Sequence, residues 1–431
     1  MIRRPRSLRA PPALVRFFLS VCLAVGGGAL VVSACSDSSE ATGPLGPATL
    51  AVVEGDGARA PAGTVVPLGP TVEVKNAQGD PLAGVEVHFS VVNGGGQVAD
   101  GTVTTDARGR ARGVWILGRG SGVVQRIRAS AEDLSVDLQA EAFAPVLGQS
   151  YQGRKGYSEY LPGSLPLVIS APHGGEFEPV EIPNRGWGAT AQDRNTLDLA
   201  LRIREAIWER TGAYPHVVLS RLHRIKLDPN REIVEAAQGN WEAERAWWEY
   251  HTFADEAGAL VEDAFGHGLY LDIHGHAHEI DRLELGYLLS SADLSNDDTT
   301  LSSSPFVNKS SVGALVGTSG IDLAGLVRGP FSLGSLLEER GVPAVPSQTQ
   351  PDPAGAAYFS GGYSTARHGS RDGGSISGIQ IEHHYPGLRD EVWNRQEYAN
   401  ILADALLEYF PTHFGMDLTP LPPEQHRSPH R

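Results

Sequence analysis

Cysteine is scarce in this chain of 431 residues, and basic residues are outnumbered. The two cysteines are Cys22 and Cys35, so the sequence after Cys35 cannot form a disulfide, a cysteine-ligated zinc site or a cysteine nucleophile. The 51 acidic residues exceed the 35 Lys and Arg residues, which gives a formal charge of −16. A surface this acidic repels nucleic acid, and we therefore expect no nucleic-acid partner.

The N-terminal segment has the layout of an export signal. Residues 1–34 combine a basic start, an apolar stretch and a run of small residues. The sequence Val-Ser-Ala-Cys35 resembles the bacterial lipobox, in which the cysteine becomes the lipidated first residue. We therefore predict a signal peptide over 1–34, lipidation at Cys35, a flexible tether over 35–46, and anchoring to the cell envelope at the outer membrane or periplasmic face. The alternative is a plain signal peptide or an uncleaved anchor.

Residues 47–145 contain short alternating apolar runs separated by turn residues. The run from Val85 to Val91 alternates with period two, and sequences such as AQGDP and NGGG favour turns. Several such strands without a helical run predict a β-sandwich. The pattern N-A-Q-G-D-P-L-A-G-V-E-V-H-F, followed by T-D-A-R-G-R-A, resembles the bacterial Ig-like domains of invasin and intimin type. We interpret this module as a spacer, with a carbohydrate-binding or adhesin-type role as the alternative.

Residues 146–414 alternate strand-like and helix-like segments. Strands are predicted over 165–170, 216–220, 268–273 and 376–382, and helices over 193–211, 240–265 and 391–410. This alternation predicts an α/β domain whose mixed central sheet is covered on both faces by helices. The segment 294–315 is rich in Ser, Asp and Asn and is predicted to be a surface loop. The tail 415–431 is predicted to be disordered.

Polar residues lie at the carboxyl ends of the four predicted strands, where α/β sheets bind ligands. These segments are Pro172-His173-Gly174-Gly175-Glu176, the run from Arg221 to Arg231, Asp272-Ile273-His274, and Gln380-Ile381-Glu382. His173 and Glu176 at i and i+3, together with His274, supply two imidazoles and a carboxylate. That set is typical of a catalytic zinc site with an open fourth position. Glu382 adds a second carboxylate that can act as a general base.

The residues of these motifs resemble those of one enzyme family. S-A-P-H-G-G, S-R-x-x-R-x-x-x-D-x-N-R, D-I-H-G-H, G-G-Y-S-T-A-R-H-G and I-Q-I-E-H are similar to motifs of the N-formylglutamate amidohydrolases, in the zinc carboxypeptidase and aspartoacylase superfamily. The similarity spans about residues 148–412 and implies a zinc-exopeptidase-like domain with one catalytic Zn²⁺. The implied roles are zinc ligation by His173, Glu176 and His274, general-base catalysis by Glu382, carbonyl polarisation by Arg221 or Arg224, and substrate binding by Asn230, Arg231 and Arg367. The spacing of Arg224 is closer to that of the family.

These features predict a surface-tethered zinc amidohydrolase. Its expected substrate is a small anionic amide or peptide, such as an N-acyl amino acid like N-formylglutamate, a short peptide or a glutamyl polymer. Typical members of the family are cytoplasmic, whereas this chain carries an export signal and an Ig-like module. The alternative is a cell-surface adhesion protein in which the Ig-like module binds the partner and the hydrolase domain is vestigial.

Overall fold

The computed structural model describes residues 46–419. The predicted signal peptide, lipidation at Cys35 and almost all of the tether lie outside the described residues, as does the tail beyond residue 419. Within residues 46–419, no helix is both long enough and apolar enough to cross a membrane. The described part consists of a β-sandwich followed by an α/β domain.

The first part is built from ten strands. They are β1 (Thr49–Glu54), β2 (Ala58–Pro61), β3 (Thr71–Lys75), β4 (Glu86–Asn93), β5 (Gly96–Ala99), β6 (Thr102–Thr104), β7 (Arg110–Arg112), β8 (Val114–Leu117), β9 (Val124–Ala131) and β10 (Leu134–Phe143). They form sheets of order β1-β3-β7 and β2-β10-β9-β4-β6, with β5 paired to β8. In β4 the expected alternation is present, since Val87 and Phe89 are buried while His88 and Ser90 are exposed.

The second part contains an eight-stranded sheet. Its strands are β11 (Tyr151–Gln152), β12 (Ser158–Leu161), β13 (Leu167–Ala171), β14 (His216–Ser220), β15 (Gly268–Gly275), β16 (Leu283–Gly286), β17 (Ala344–Val345) and β18 (Ile376–His383). Its helices are α1 (Thr196–Thr211), α2 (Ile233–Ala237), α3 (Trp241–Phe265), α4 (Ser291–Leu294), α5 (Asp298–Leu301), α6 (Ser304–Lys309), α7 (Gly313–Ser319), α8 (Leu323–Arg328), α9 (Leu333–Glu339), α10 (Tyr363–His368) and α11 (Val392–Phe414).

The strand order of this sheet determines where a site can form. The order is β11-β12-β14-β13-β15-β18-β16-β17, and the four strands β14, β13, β15 and β18 are mutually parallel. Strands β12 and β16 run antiparallel to their neighbours β14 and β18, so the sheet is mixed as predicted. Helices α1 and α11 pack together in the core cluster on one face, and α3 packs on the other. The carboxyl ends of the four parallel strands therefore meet at one edge.

The segment 294–315 differs from the predicted surface loop. It belongs to four short helices, α4 to α7, and Leu294, Leu301, Val312 and Leu315 are buried in the main core. Its polar residues form local hydrogen bonds that the composition does not reveal. The Asp297 side chain accepts a hydrogen bond from the first turn of α5, and Ser310 Oγ accepts one of 3.2 Å from the Val312 backbone. The tail prediction also begins too early, since Leu418 is buried.

Helix α3 makes a polar contact with the β-sandwich. The Arg245 guanidinium is buried, and its Nη2 donates to the carbonyls of Val66 and of Pro67, the latter at 2.7 Å. Arg119 of the sandwich donates through Nε to Glu256 of α3 at 3.0 Å. The β-sandwich is therefore packed directly against the α/β domain, a contact that the spacer interpretation did not predict.

Candidate active site

His173, His274 and Glu382 come together at the carboxyl ends of neighbouring strands. His173 follows β13, while His274 and Glu382 lie on β15 and β18 and are directly paired in register. The centres of the His173 and His274 rings are 4.8 Å apart, and both side chains are buried. Parallel pairing of β13, β15 and β18 thus brings together side chains that lie about a hundred residues apart in sequence.

Asp193 completes a group of possible metal ligands with the two histidines. Its Oδ2 atom lies 3.2 Å from Nδ1 of His173 and 3.3 Å from Nδ1 of His274. Among residues 46–419, one ligand atom from each of these three residues lies within 4.8 Å of the others. The carboxylate is held by the backbone N–H of Gly275, which donates to Oδ2 at 3.1 Å.

The far side of each imidazole contacts a second buried carboxylate. His173 Nε2 lies 2.6 Å from Oδ1 of Asp228, and His274 Nε2 lies 2.8 Å from Oδ2 of Asp272. An Nε2–H bond donated to each carboxylate leaves Nδ1 of each ring with a lone pair directed at Asp193. Carboxylates that orient metal-binding histidines in this way are a common feature of zinc sites.

These groups together favour a positive charge at their centre. Two Nδ1 lone pairs and a carboxylate oxygen repel one another unless a cation or protons lie between them. Although burial lowers the pKa of His274, Asp272 and Asp193 raise it well above its ordinary value. Burial likewise tends to raise the pKa of Asp193, yet His173 and His274 hold it below its ordinary range. Two imidazoles and one carboxylate match the donor set of a catalytic zinc ion with an open position.

Glu176 is not part of this group. Its side chain is exposed, whereas Asp193 occupies the position expected for the acidic ligand. The i and i+3 spacing of His173 and Glu176 would direct both side chains to one point only on a helical backbone, and the chain here forms no helix. Asp193 lies twenty residues beyond His173, in the loop before α1, where its backbone N–H donates to the His173 carbonyl at 3.1 Å. No spacing rule identifies such a residue from sequence.

Glu382 lies in the same cavity as the three possible ligands. This cavity holds about 140 Å³ and is also lined by Arg224, Asn230, Arg231, Phe359, Gly361, Gly362 and Gln380. Glu382 Oε1 accepts a hydrogen bond of 2.9 Å from Gln380, while Oε2 has no partner among residues 46–419. Burial raises the pKa of Glu382 to about 8, although His274 opposes the shift. The site therefore contains a buried carboxyl group that stays largely protonated at neutral pH unless a nearby positive charge stabilises its ionised form.

The two candidate arginines differ in location. Arg224 lines the cavity, and its Nε donates to Asp228 Oδ2 at 2.9 Å. Arg221 pairs instead with Glu159 of β12, to which its Nε donates at 2.8 Å, and it does not line the cavity. The structure thus places Arg224, and not Arg221, beside the possible ligands.

Asn230 and Arg231 both line the cavity. Asn230 Oδ1 accepts a hydrogen bond from the Ser364 backbone at 2.8 Å, so its Nδ2 is oriented towards His274, 3.4 Å from Nε2. This contact requires glycine at position 362, because a Cβ there would lie 2.4 Å from Asn230 Nδ2. Arg231 donates through Nη1 to the Asn230 carbonyl at 2.7 Å and is partly exposed.

Arg367 lies outside the cavity. Its Nη2 donates to Asp255 at 2.7 Å, and its guanidinium lies 5.5 Å from the centre of the Trp247 ring. Arg367 and Asp255 line a separate depression of about 230 Å³, together with Glu262 and His368. The glycine-rich run that suggested a substrate contact instead supplies Gly361 and Gly362 to the cavity wall.

Comparisons with known proteins relate only to part of the chain. No protein-family model and no curated protein matches it. Among solved structures it is similar to the D00-D0 domain of intimin (24% identity over 24% of this chain and 48% of that one), to invasin, described as a bacterial integrin-binding protein (26% over 28% and 23%), and to domains 4 and 5 of the S-layer protein SbsC (17% over 23% and 53%), each with a TM-score of 0.19.

The chain spans about half or less of the length of these solved chains. Intimin and invasin are the proteins whose domains the sequence of residues 47–145 resembles. TM-scores of 0.19 carry no argument about function, however, and the description of residues 49–143 as a β-sandwich rests on its own sheet topology. The resemblance to N-formylglutamate amidohydrolases receives no support from these comparisons.

Proposed function

We propose that the α/β domain is a metal-dependent amidohydrolase that cleaves the amide bond of a carboxylate-bearing substrate. One observation carries the proposal. Two histidines, each hydrogen-bonded on its far side by a buried carboxylate, converge with Asp193 on a single point, and the buried Glu382 lines the same cavity. This donor set fits zinc, which we propose as the single cofactor, held by His173, Asp193 and His274.

A divalent cation in this site would supply Lewis acidity to the amide carbonyl and favour the ionisation of water. Glu382 accepts the proton of the attacking water through its unpartnered oxygen and then donates it to the leaving nitrogen. The carbon–nitrogen bond breaks, which yields a carboxylic acid and an amine. Arg224 donates to the carbonyl oxygen as negative charge develops on it.

The substrate carboxylate is assigned to the cationic wall of the cavity. Arg231 is partly exposed there, and Asn230 directs its amide N–H bonds inward. A guanidinium binds a carboxylate through two parallel hydrogen bonds, and this geometry fixes the scissile bond relative to Glu382. N-acyl amino acids, short peptides and glutamyl polymers all carry such a carboxylate.

The test is elemental analysis of the purified full chain together with an assay of amine release from N-acyl amino acids. We expect about one zinc ion per chain and hydrolysis that a chelator abolishes. The variant Glu382→Gln is expected to keep its zinc and to lose activity by about 10²–10⁴-fold, because the general base is removed. Glu339→Gln, at an exposed glutamate outside the cavity, is the matched control. Undiminished turnover by Glu382→Gln would remove this residue from the mechanism.

The proposed location is the cell envelope, through lipidation of Cys35. Mass spectrometry of the N-terminal peptide from the exported protein is expected to find a diacylglyceryl-modified cysteine. Replacement of Cys35 by Ser is expected to release the protein from the membrane fraction, and retention of that variant would refute the anchor.

A second candidate function is adhesion through the Ig-like module. The observation in its favour is the exposure of apolar side chains where β4 ends and its partner β9 begins: Val91, Val92, Val123 and Val124 are each 38–49% exposed. Exposed apolar surface is one feature of interaction sites. Adhesion predicts that a Val92→Ser, Val124→Ser double variant binds cells less well while Glu382→Gln binds normally. Normal cell binding by the double valine variant would refute the adhesion function.

A further inference from the structure

The mouth of the cavity carries an exposed aromatic ring that buried groups hold in place. Phe359 lines the cavity and is 44% exposed. Its ring stacks on His278, with ring centres 4.6 Å apart and planes inclined by 14°. An exposed phenylalanine ordinarily rotates among several conformations, and the ordering of such a side chain opposes binding.

Glu284 holds the His278 ring and the backbone of Phe359. It is buried, and its Oε1 accepts a hydrogen bond of 2.8 Å from His278 Nδ1. Its Oε2 accepts one of 2.7 Å from the backbone N–H of Phe359. His276 contributes as well, because its Nδ1 accepts from the His278 backbone at 3.1 Å. The Phe359 ring is therefore preorganised as a flat apolar surface at the entrance to a polar site.

The strand order separates this surface from the cationic wall. Arg224 and Arg231 follow β14, whereas Glu284 lies on β16. Between them lie β13, β15 and β18, which position His173, His274 and Glu382. A substrate lying across the strands thus has its carboxylate on the β14 side, its scissile bond over the central strands, and its acyl group on the β16 side.

The chemistry of the Phe359 ring decides which acyl group it favours. Phe359 lines the same cavity as His173, His274 and Glu382, so an acyl group on the scissile amide can contact its ring. A formyl group has no apolar atom beyond the amide carbon that could pack there. An acyl group that bears a ring or a branched apolar chain has such atoms, and an aromatic ring would stack on Phe359.

We propose that Phe359, backed by His278, determines substrate specificity by binding the acyl group, so that the preferred substrate is an amino acid acylated by a large ring-bearing group. This inference rests on the proposed amidohydrolase function and specifies which half of the substrate the β16 side receives. Phe359 touches the substrate, whereas His278 and Glu284 act as positioning residues.

The test compares N-phenylacetyl-L-glutamate with N-formyl-L-glutamate on the full chain. We expect kcat/KM for the phenylacetyl substrate to be at least about 10-fold higher, since one well-formed aromatic contact has about that effect. Phe359→Ala is expected to lose about 10-fold more activity on the phenylacetyl substrate than on the formyl one, mainly through KM. Phe359→Trp is expected to restore the preference. Phe331→Ala, at a phenylalanine of similar exposure that does not line the cavity, is the control.

Two outcomes would overturn the inference. One is equal kcat/KM for the two substrates, and the other is an equal loss on both in Phe359→Ala. Calorimetric binding of both compounds to the zinc-loaded Glu382→Gln variant separates this inference from the proposed function. One informative outcome is a binding preference for the phenylacetyl compound that depends on Phe359, without hydrolysis by the unmodified protein. It would support the role of Phe359 and refute the amidohydrolase function. Hydrolysis without that preference would support the amidohydrolase function and refute the role of Phe359.

Discussion

Replacement of Asp193 by Asn tests which acidic residue completes the proposed metal site. Asp193 Oδ2 lies 3.2–3.3 Å from both imidazole Nδ1 atoms and accepts the backbone N–H of Gly275, so an amide there removes a negative charge from the centre of the cluster. Loss of a carboxylate that only hydrogen-bonds a metal-binding histidine lowers metal affinity about 10–100-fold. A direct ligand contributes more, and we therefore expect Asp193→Asn to weaken zinc binding by at least about 100-fold, or about 2.7 kcal/mol.

The assay is titration of the metal-free protein with zinc against a competing chelator. Glu176→Gln is the matched control, because it makes the same chemical change in an exposed side chain outside the cluster. It is expected to bind zinc as tightly as the unmodified protein. Circular dichroism of both variants checks that the fold is retained. Weak binding by Glu176→Gln together with normal binding by Asp193→Asn would refute the assignment and restore the ligand set expected from sequence.

Two further predictions concern the surroundings of the site. Asp228→Asn is expected to lower zinc affinity about 10–100-fold in the same titration, since the 2.6 Å contact with His173 Nε2 orients that ring; unchanged affinity would deny that role. Burial raises the pKa of Glu256 from 4.5 to about 7, although Arg119 opposes the shift. Between pH 4.5 and 7 the folded protein therefore binds more protons at this residue than the unfolded chain does. The free energy of unfolding is expected to fall by up to about 3 kcal/mol as the pH rises through this range. Glu256→Gln is expected to reduce this pH dependence of the unfolding free energy, measured by urea denaturation. The same pH dependence in the variant and the unmodified protein would contradict the raised pKa of Glu256.

The order of strands and helices could be read from the sequence because each segment carries its own local pattern. Strand β14 was predicted with the observed bounds, and α3 to within one residue, because apolar periodicity and a cap at Asn240 specify them. The proximity of His173 and His274 could also be predicted from the sequence, because both residues lie at the carboxyl ends of strands expected to be parallel. Patterns of this kind depend only on residues close in sequence.

The rest of the site depends on tertiary contacts that leave no local pattern. Asp193 reaches the cluster from an irregular loop, and Phe359 approaches from the segment after β17, held by Glu284 of another strand. Arg367 was predicted to bind substrate because of its place in a glycine-rich motif, yet its position on α10 directs it to Asp255. A motif identifies residues that lie near a site but does not specify which side of a short helix faces it.

Helix α3 connects the Ig-like module with the cavity. Arg245 contacts the module, Trp247 Nε1 donates to the Arg231 carbonyl at 2.9 Å, and His251 Nε2 lies 3.0 Å from the Pro229 carbonyl. These residues span only six positions, or about 9 Å along the helix axis. The same two turns therefore contact the module on one side and support the segment that carries Asn230 and Arg231 on the other. A displacement of α3 by the module would move Asn230 and Arg231, the proposed substrate-binding residues, more than the proposed metal ligands, because His173 and His274 are held by the sheet and by Asp228 and Asp272.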